Sequence, residues 1–525
     1  MLFLSTILIL ITSCGLRYER EQEENNSFFT SQTVISGKPI RASIFPEGDV
    51  DFYRISSRQN IQGDMIADIS LEETEPLDLV LKLYRGSKLV KIVNDSDSVD
   101  RGERIVNALF PYDEIMDGSA VFSVEETGRN RPEQQGAGKR YELRVQLRQK
   151  EQTDEGEPND RAVDAIDFGA SGTIRGYFNP SVHHDSEGAQ PEEDWFAFSI
   201  SGPDERIIHI GHTSVPDVDS ILSIFDELGY LIRKSDSHGK GEPEKIKNVG
   251  LVGGKYFIQL RSSVPFQQNY RVSYLLKLEH EADKGIESES NDKYPYADLI
   301  QFSSDTRGCF NPRADIDWFR FIIYNPGPQV VSVRMSPTAD IDPVIELYSS
   351  SMEQLVRVDD RGYDEGEIIK NMGVEEGVFY LKLYNKDEEV DNPDDEYTLF
   401  IEKDNWNDEQ EFERNEDIMS ANELKINGLK KGYITPRGDR DFYLFRVTEA
   451  SILHIEITPC VLLDLAIQIY DESGRLIQRI NENPAEEGER GSMFFNPGLY
   501  YVEILSNNIE ENSRDTYFLR VYTHQ

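Results

Sequence analysis

Residues 287–292 read Glu-Ser-Glu-Ser-Asn-Asp, and the order Glu-x-Glu-x-Asn followed by an acid or amide returns at 155–160, at 411–416 and, more weakly, at 21–26. In an extended segment the side chains at i, i+2 and i+4 point the same way, which puts Glu287, Glu289 and Asn291 on one face. Two carboxylates and an amide carbonyl are hard oxygen donors, and calcium takes about six to eight such oxygens in a flexible shell. Asp292 with Asp315 or Asp317 would supply the remainder. By the same reading Glu155, Glu157, Asn159, Asp160 and Asp194 make a second calcium site. Glu411, Glu413, Asn415, Glu416 and Asp441, with Asp439 two residues before it, make a third. Asn26 replaces the final acid in the first copy, so that site is expected to be weakest or absent. Without a cation such a cluster concentrates like charge, which raises carboxylate pKa values and destabilises the fold. The competing reading is a solvated linker that holds nothing.

The elements that must position these residues recur with them. Each motif is followed by an acid-x-Asp-aromatic-aromatic signature: Asp49 to Tyr53, Glu192 to Phe196, Asp315 to Phe319 and Asp439 to Tyr443. The motif asparagine and the second acid stand 26 positions apart in three copies (Asn25 and Asp51, Asn291 and Asp317, Asn415 and Asp441). The remaining copy carries an insertion in the polar loop SVHHDSEGAQ. Next come an Asp-led apolar run (Asp78, Asp219, Asp342, Asp464), a Gly-then-aromatic run and a Tyr-led run such as YTLFIEK. These runs are short, alternate with period two, are rich in Val, Ile, Tyr and Phe, and are bounded by Gly, Pro, Asp and Asn, which predicts β-strands. One aromatic of each pair is expected in the core. The strand-opening aspartates are expected to accept backbone hydrogen bonds in the preceding turn.

Together these landmarks resemble the bacterial pre-peptidase C-terminal domain, a module similar to the collagen-binding domain of clostridial collagenases. The resemblance covers nearly all of the chain from about residue 19 and is loosest in the first copy. It implies an all-β chain of four tandem antiparallel, jelly-roll-like β-sandwiches at 19–150, 151–282, 283–405 and 406–525. It also implies attachment to secreted peptidases, and calcium bound at the acidic motif in some members. At Pro191, Ala314 and Gly438 the chain lacks one acid that the calcium-binding relatives carry, so an empty site capping a linker stays open. The polar stretches 148–156 and 279–285 are expected to be open, protease-sensitive linkers.

The formal net charge of −42 over 525 residues disfavours nucleic acid and anionic membrane surfaces as partners. The 38% hydrophobic and 10% aromatic content suffices for packed cores. At the N-terminus an apolar run too short to span a bilayer ends at Ile11-Thr12-Ser13-Cys14. It resembles a bacterial lipoprotein signal of the relaxed spirochaete kind, in which the signal at 1–14 ends at Cys14 and cleavage leaves that cysteine as the lipidated first residue. The expected location is the bacterial cell envelope, held through the lipid anchor alone. Cys309 and Cys460 are read as small buried hydrophobes.

No His-Glu-x-x-His or Gly-x-Ser-x-Gly motif is present. His183, His184 and Asp185 are read as a solvated loop rather than a zinc site, and His209 and His212 as surface or turn residues. The chain is therefore read as non-catalytic. Three functions are open to it: adhesion to an extracellular protein or glycan, service as a docking partner of a secreted peptidase, or an envelope spacer.

Overall fold

A computed structural model describes residues 18–523 apart from 47, 57, 59–60, 74–77, 95–101, 127–138, 180–182, 185–187, 190 and 266. Cys14 and Asp185 lie outside the described residues, and the side chains of His183 and His184 are likewise not described. The protein is all-β. Among the described residues it has eight sheets of four or five strands and one two-stranded ribbon, 183–184 with 188–189. One helix of six residues, Tyr112–Asp117, and two single 3-10 turns complete it.

Alternation builds the strands. In Tyr397–Asn405 the side chains of Tyr397, Leu399 and Ile401 are buried while Thr398 and Phe400 are half-buried. The same sheet pair recurs along the chain. In residues 298–405 the first sheet has the order 298–299, 316–323, 377–385, 343–348, 354–358, and the second 305–308, 397–405, 329–335, 368–374. Residues 422–523 repeat this order strand for strand. Phe319, Ile345, Leu381 and Leu383 of one sheet and Val331, Val333, Leu399 and Ile401 of the other share one apolar cluster. Residues 34–147 and 424–521 each enclose a similar cluster. Burial of such side chains contributes about 25 cal/mol per Å2 of apolar surface and is the main force holding each sheet pair.

Pairing within the sheets is antiparallel except at short edge strands, and in the first repeat Glu19–Arg20 lies parallel on Ile40–Ile44. Each first sheet begins with a short parallel edge strand: 32–34 on 50–55, 166–169 on 193–200, 298–299 on 316–323 and 422–423 on 440–447. The chain passes from that edge through the other sheet before returning, so no hairpin joins the two strands and a parallel arrangement is allowed.

The chain divides into two compact units. One comprises residues 1–204, 209–246 and 252–280; the other comprises 205–208, 247–251 and 281–525. Cys309 and Cys460, in the second, are free and buried. The strand-opening Asp219, Asp342 and Asp464 do not cap a preceding turn as expected. Asp219 accepts from the Ser263 hydroxyl at 2.7 Å and Asp464 from the Asn507 amide at 2.6 Å, each donor lying just past the end of the neighbouring central strand, 254–262 or 498–506.

The predicted linker stretches stay mostly exposed, at 148–149, 151–153, 279–281 and 283–285, whereas the acidic motifs that follow them are buried. The strands 139–149 and 269–282 run into the polar stretches, and Asp154, Glu155, Glu157, Glu287, Glu289, Glu411 and Glu413 are buried. Each motif bridges two strands at once. Asp154 pairs with Arg175 and Glu157 with Ala108; Ile286 pairs with Arg307 and Glu289 with Val249; Gln410 pairs with Lys431 and Glu413 with Met372. Backbone groups satisfied on both sides resist the local unfolding that proteases require. Limited proteolysis followed by fragment mass spectrometry is therefore expected to spare 154–160, 286–292 and 410–416. Early cuts inside those segments would contradict this.

Candidate acid-cluster sites

One backbone hydrogen bond assembles each cluster. The carbonyl of the motif asparagine accepts the N–H of the first aromatic after the acid pair: Asn25 from Phe52, Asn159 from Trp195, Asn291 from Trp318 and Asn415 from Phe442, at 2.9–3.2 Å. This explains the constant spacing, because it holds the motif beside the acid-x-Asp pair. The first glutamate is fixed by a second backbone bond. Glu21, Glu155, Glu287 and Glu411 accept the N–H of Ser43, Tyr177, Cys309 and Tyr433 at 2.7–2.9 Å.

The second acid points inward. Asp51, Asp194, Asp317 and Asp441 are wholly buried, on the core face with Tyr53, Phe196, Phe319 and Tyr443. The other aromatic of each pair, Phe52, Trp195, Trp318 or Phe442, packs tilted against Tyr84, Phe225, Tyr348 or Tyr470 with centroids 5.3–5.9 Å apart. These rings form cross-strand pairs rather than a free platform.

A tyrosine hydroxyl closes each cluster from the core side. Tyr141, Tyr274, Tyr397 and Tyr517 donate to Asp51, Asp194, Asp317 and Asp441 at 2.6–2.8 Å. In the second copy the tyrosine that leads the run, Tyr270, is not the one that reaches the site. In the second and third copies the same hydroxyl also lies 2.8 Å from Glu155 or Glu287. One hydroxyl proton cannot serve two carboxylates, so one carboxyl of each pair carries a proton and donates. Burial first, and then Asp315, push Glu287 up to about 8. Where the core aromatic is a tyrosine the arrangement differs: Tyr53 bonds Tyr141 at 2.7 Å and Tyr443 bonds Tyr517 at 2.5 Å. Burial also raises Asp441, to about 7.

Carboxylate oxygens that converge within bonding reach of one ion come from Glu21, Glu23 and Asp51; from Glu157, Glu192 and Asp194; from Glu287, Glu289 and Asp317, with a neighbouring set of Glu289, Asp292 and Asp315; and from Glu411, Glu413 and Asp441. In the first of these Glu23 is exposed and Glu21 half-buried, so that cluster is the most open. The donor set suits calcium on a further count. The Oδ1 atoms of Asn25, Asn159, Asn291 and Asn415, and of Asp51, Asp194, Asp317 and Asp441, are all buried without a hydrogen-bond partner. Eight such orphans at equivalent places are the oxygens a hard cation would take.

Several participants escaped the sequence reading. Glu192 joins the second cluster, although only Asp194 was expected there. Asn107, Asn248 and Asn371, each with positive φ, reach the first glutamate of the next motif: Asn107 to Glu155 at 3.3 Å, Asn248 to Glu287 at 2.7 Å and Asn371 to Glu411 at 3.3 Å. Their signal is no more than an asparagine inside a strand, in the runs NAL, NVG and NMG. The corresponding strand 490–495 pairs with 451–457 in unbroken register and has no such asparagine. Lys91 is the most consequential omission. Its ammonium is buried and lies 2.8 Å from Glu157, 2.9 Å from Asp160 and 3.4 Å from Glu192. Burial alone would lower its pKa, but Asp160, Glu157 and Glu192 more than offset that and hold it well above the usual value.

His212 is not a surface residue. It is buried, its Nε2 accepts the Glu244 N–H at 3.0 Å, and its Nδ1 lies 2.9 Å from the Thr213 carbonyl, so Nδ1 carries the proton. Burial holds it down at about 4.

Three glycines lie under the tyrosine–glutamate contact. A Cβ on Gly176, Gly308 or Gly432 would come within 2.1–2.5 Å of the first glutamate's Oε2 and the tyrosine hydroxyl. Gly308→Ala is expected to cost about 1–3 kcal/mol in denaturant unfolding. Gly362→Ala, whose Cβ would meet nothing within 4 Å, should stay within about 0.5 kcal/mol. The pH dependence has a definite sign. Carboxyls with raised folded pKa contribute stability that is present below their unfolded values and is lost as pH rises through the folded ones. His212, with a depressed pKa, acts oppositely, between its ordinary value of 6.5 and about 4. Above 6.5 the carboxyls act alone, so with chelator the melting temperature is expected to fall between about pH 6.5 and 8, as Asp441 and Glu287 ionise.

No family model matches the chain, and no curated protein does. Among solved structures, the pre-peptidase C-terminal domain of a collagenase from Bacillus anthracis is similar at 22% identity over 97% of its length and 21% of this chain, with a TM-score of 0.18. A putative secreted protein from Eubacterium rectale is similar at 13% identity over 72% of its length and 44% of this chain, with a TM-score of 0.14. The CUB1-EGF-CUB2 region of human MASP-1/3 is similar at 6% identity over 98% of its length and 42% of this chain, with a TM-score of 0.15.

Proposed function

We propose that the protein is a non-catalytic lipoprotein of the bacterial cell envelope, anchored through Cys14 and built of four tandem jelly-roll-like sandwiches that calcium stabilises. The sandwiches, at 19–150, 151–282, 283–405 and 406–525, serve adhesion or ligand binding outside the cytoplasm. The observation that carries the calcium reading is the set of orphaned Asn and Asp oxygens, recurring at the same place in all four repeats and lying beside buried glutamates in the second, third and fourth. Glu287, Glu289, Asn291 and Asp317 would hold the ion in the third repeat, with Asp292 and Asp315 beside them. Glu411, Glu413, Asn415 and Asp441, with Glu416 and Asp439, would do so in the fourth. The bound ion would supply positive charge and oxygen coordination and no reaction chemistry. Support for a binding role comes from the sequence resemblance to modules of secreted proteins. The described residues include no helix long and apolar enough to cross a membrane, which accords with anchoring through lipid but says nothing of strands.

Calcium at about a hundredfold excess over its Kd would stabilise the folded state by about 2.7 kcal/mol. The mature ectodomain is expected to melt higher with millimolar calcium than with chelator, and Glu289→Gln with Asn291→Ala should remove part of that gain. A pull-down from extracellular matrix and glycan fractions, run in calcium and then in chelator, is expected to retain a ligand in calcium alone. Equal melting temperatures in the two buffers would remove the calcium reading. A pull-down with no retained species would favour the spacer reading.

A further inference from the structure

We propose that Lys91 is a built-in cation that seals the acid cluster of the second repeat, so that this cluster takes no metal, whereas the matching cluster of the fourth repeat is closed by a divalent cation. The half that concerns the fourth repeat rests on the calcium reading above.

The two clusters correspond residue for residue. Lys91 meets Glu157, Asp160 and Glu192. The corresponding acids of the fourth repeat are Glu413, Glu416 and Asp439. Lys91 pairs with Leu83 one residue beyond a register shift between Leu83 and Tyr84, and Val356 pairs with Leu347 beside the same shift between Leu347 and Tyr348. Val356 therefore stands where Lys91 stands. It has no charge to offer, and a cavity of about 20 Å3 is found there, lined by Val356, Glu413, Glu416 and Asp439 among others. A site of about 10–15 Å3 suffices for one water-sized occupant. Glu413 is buried, and its Oε1 has no hydrogen-bond partner. Glu413 and Glu416 also line a cleft of about 680 Å3, which gives an ion a way in. In the second repeat the ammonium already fills that position, fully buried with Glu157 and Glu192. A divalent ion could enter only by displacing it and would leave a buried, unpaired charge, which is strongly unfavourable.

The test uses the full mature chain and calcium itself, counted by equilibrium dialysis, with thermal unfolding in chelator beside it. Lys91→Ala is expected to bind one more calcium per chain than the unaltered protein. It should melt about 5–10 °C lower in chelator and recover part of that loss in calcium. Val356→Lys is expected to bind one calcium fewer and to melt higher in chelator. If Lys91→Ala does not fold, Lys91→Gln, which keeps the length and a donor, takes its place with the same expectation. Unaltered protein that binds calcium while the Lys91 variant shows the same count overturns the proposal and leaves the calcium reading standing. Unaltered protein that binds none while the Lys91 variant gains one supports the built-in cation and removes the calcium reading. No binding by either overturns both.

Discussion

The burial of several carboxyl groups beneath one tyrosine hydroxyl is the constraint around which each repeat is arranged. An isolated buried carboxylate is expensive, so it must be protonated, hydrogen-bonded or paired with a cation. All three solutions are present. Glu287 and Asp317 share the Tyr397 hydroxyl and between them retain a proton. The first glutamate takes a backbone N–H in every repeat. Lys91 supplies an ammonium in one place. Gly176, Gly308 and Gly432 follow from the same constraint, since any Cβ would occupy the space through which the tyrosine and glutamate meet. In the first repeat Ala42 stands opposite Tyr141, at the place where the other three repeats carry these glycines.

The motif is a joint as much as a site. Each later copy pairs on one side with the first strand of its own second sheet and on the other with a strand of the sheet pair before it. The asparagine with positive φ on that earlier strand then reaches the first glutamate of the next motif. Charge neutralisation and chain connection are thus carried by the same six residues. A segment needed for solubility alone would have no reason to keep their order. The asparagine with positive φ is present in the three strands that receive a motif and missing from 490–495.

The same electrostatic demand can be met by different chemistry. An ammonium on a four-carbon stem and a divalent ion both place positive charge among converging oxygens, but the first is covalently tied to a neighbouring strand and the second exchanges with solvent. A single position, Lys91 in one strand and Val356 in its counterpart, separates the two cases. Arg233 and Gln478 hold that register place in the remaining strands.

Much was legible in the residues. Period-two alternation revealed the strands, because burial on one face of a sheet imposes it directly on the order of residues. The repeat frame followed from spacing; the glutamates and asparagines of the motifs were named from their i, i+2, i+4 pattern and the buried aspartates from the acid-x-Asp signature, while Glu192 was missed. Three matters were decided by tertiary structure. That the acidic motifs are buried joints, and not solvated segments, depends on strands far away in sequence that lend them backbone partners. That His212 is buried depends on Ser220 and Glu244 arriving from other strands to satisfy its ring. That one acid cluster already holds its cation depends on Lys91, which lies 66 positions from Glu157 and 101 from Glu192 and carries no local mark of its role. Periodicity reports which face of a strand is buried. It is silent on which distant side chain is buried against it, since that is settled only when the sheets pack.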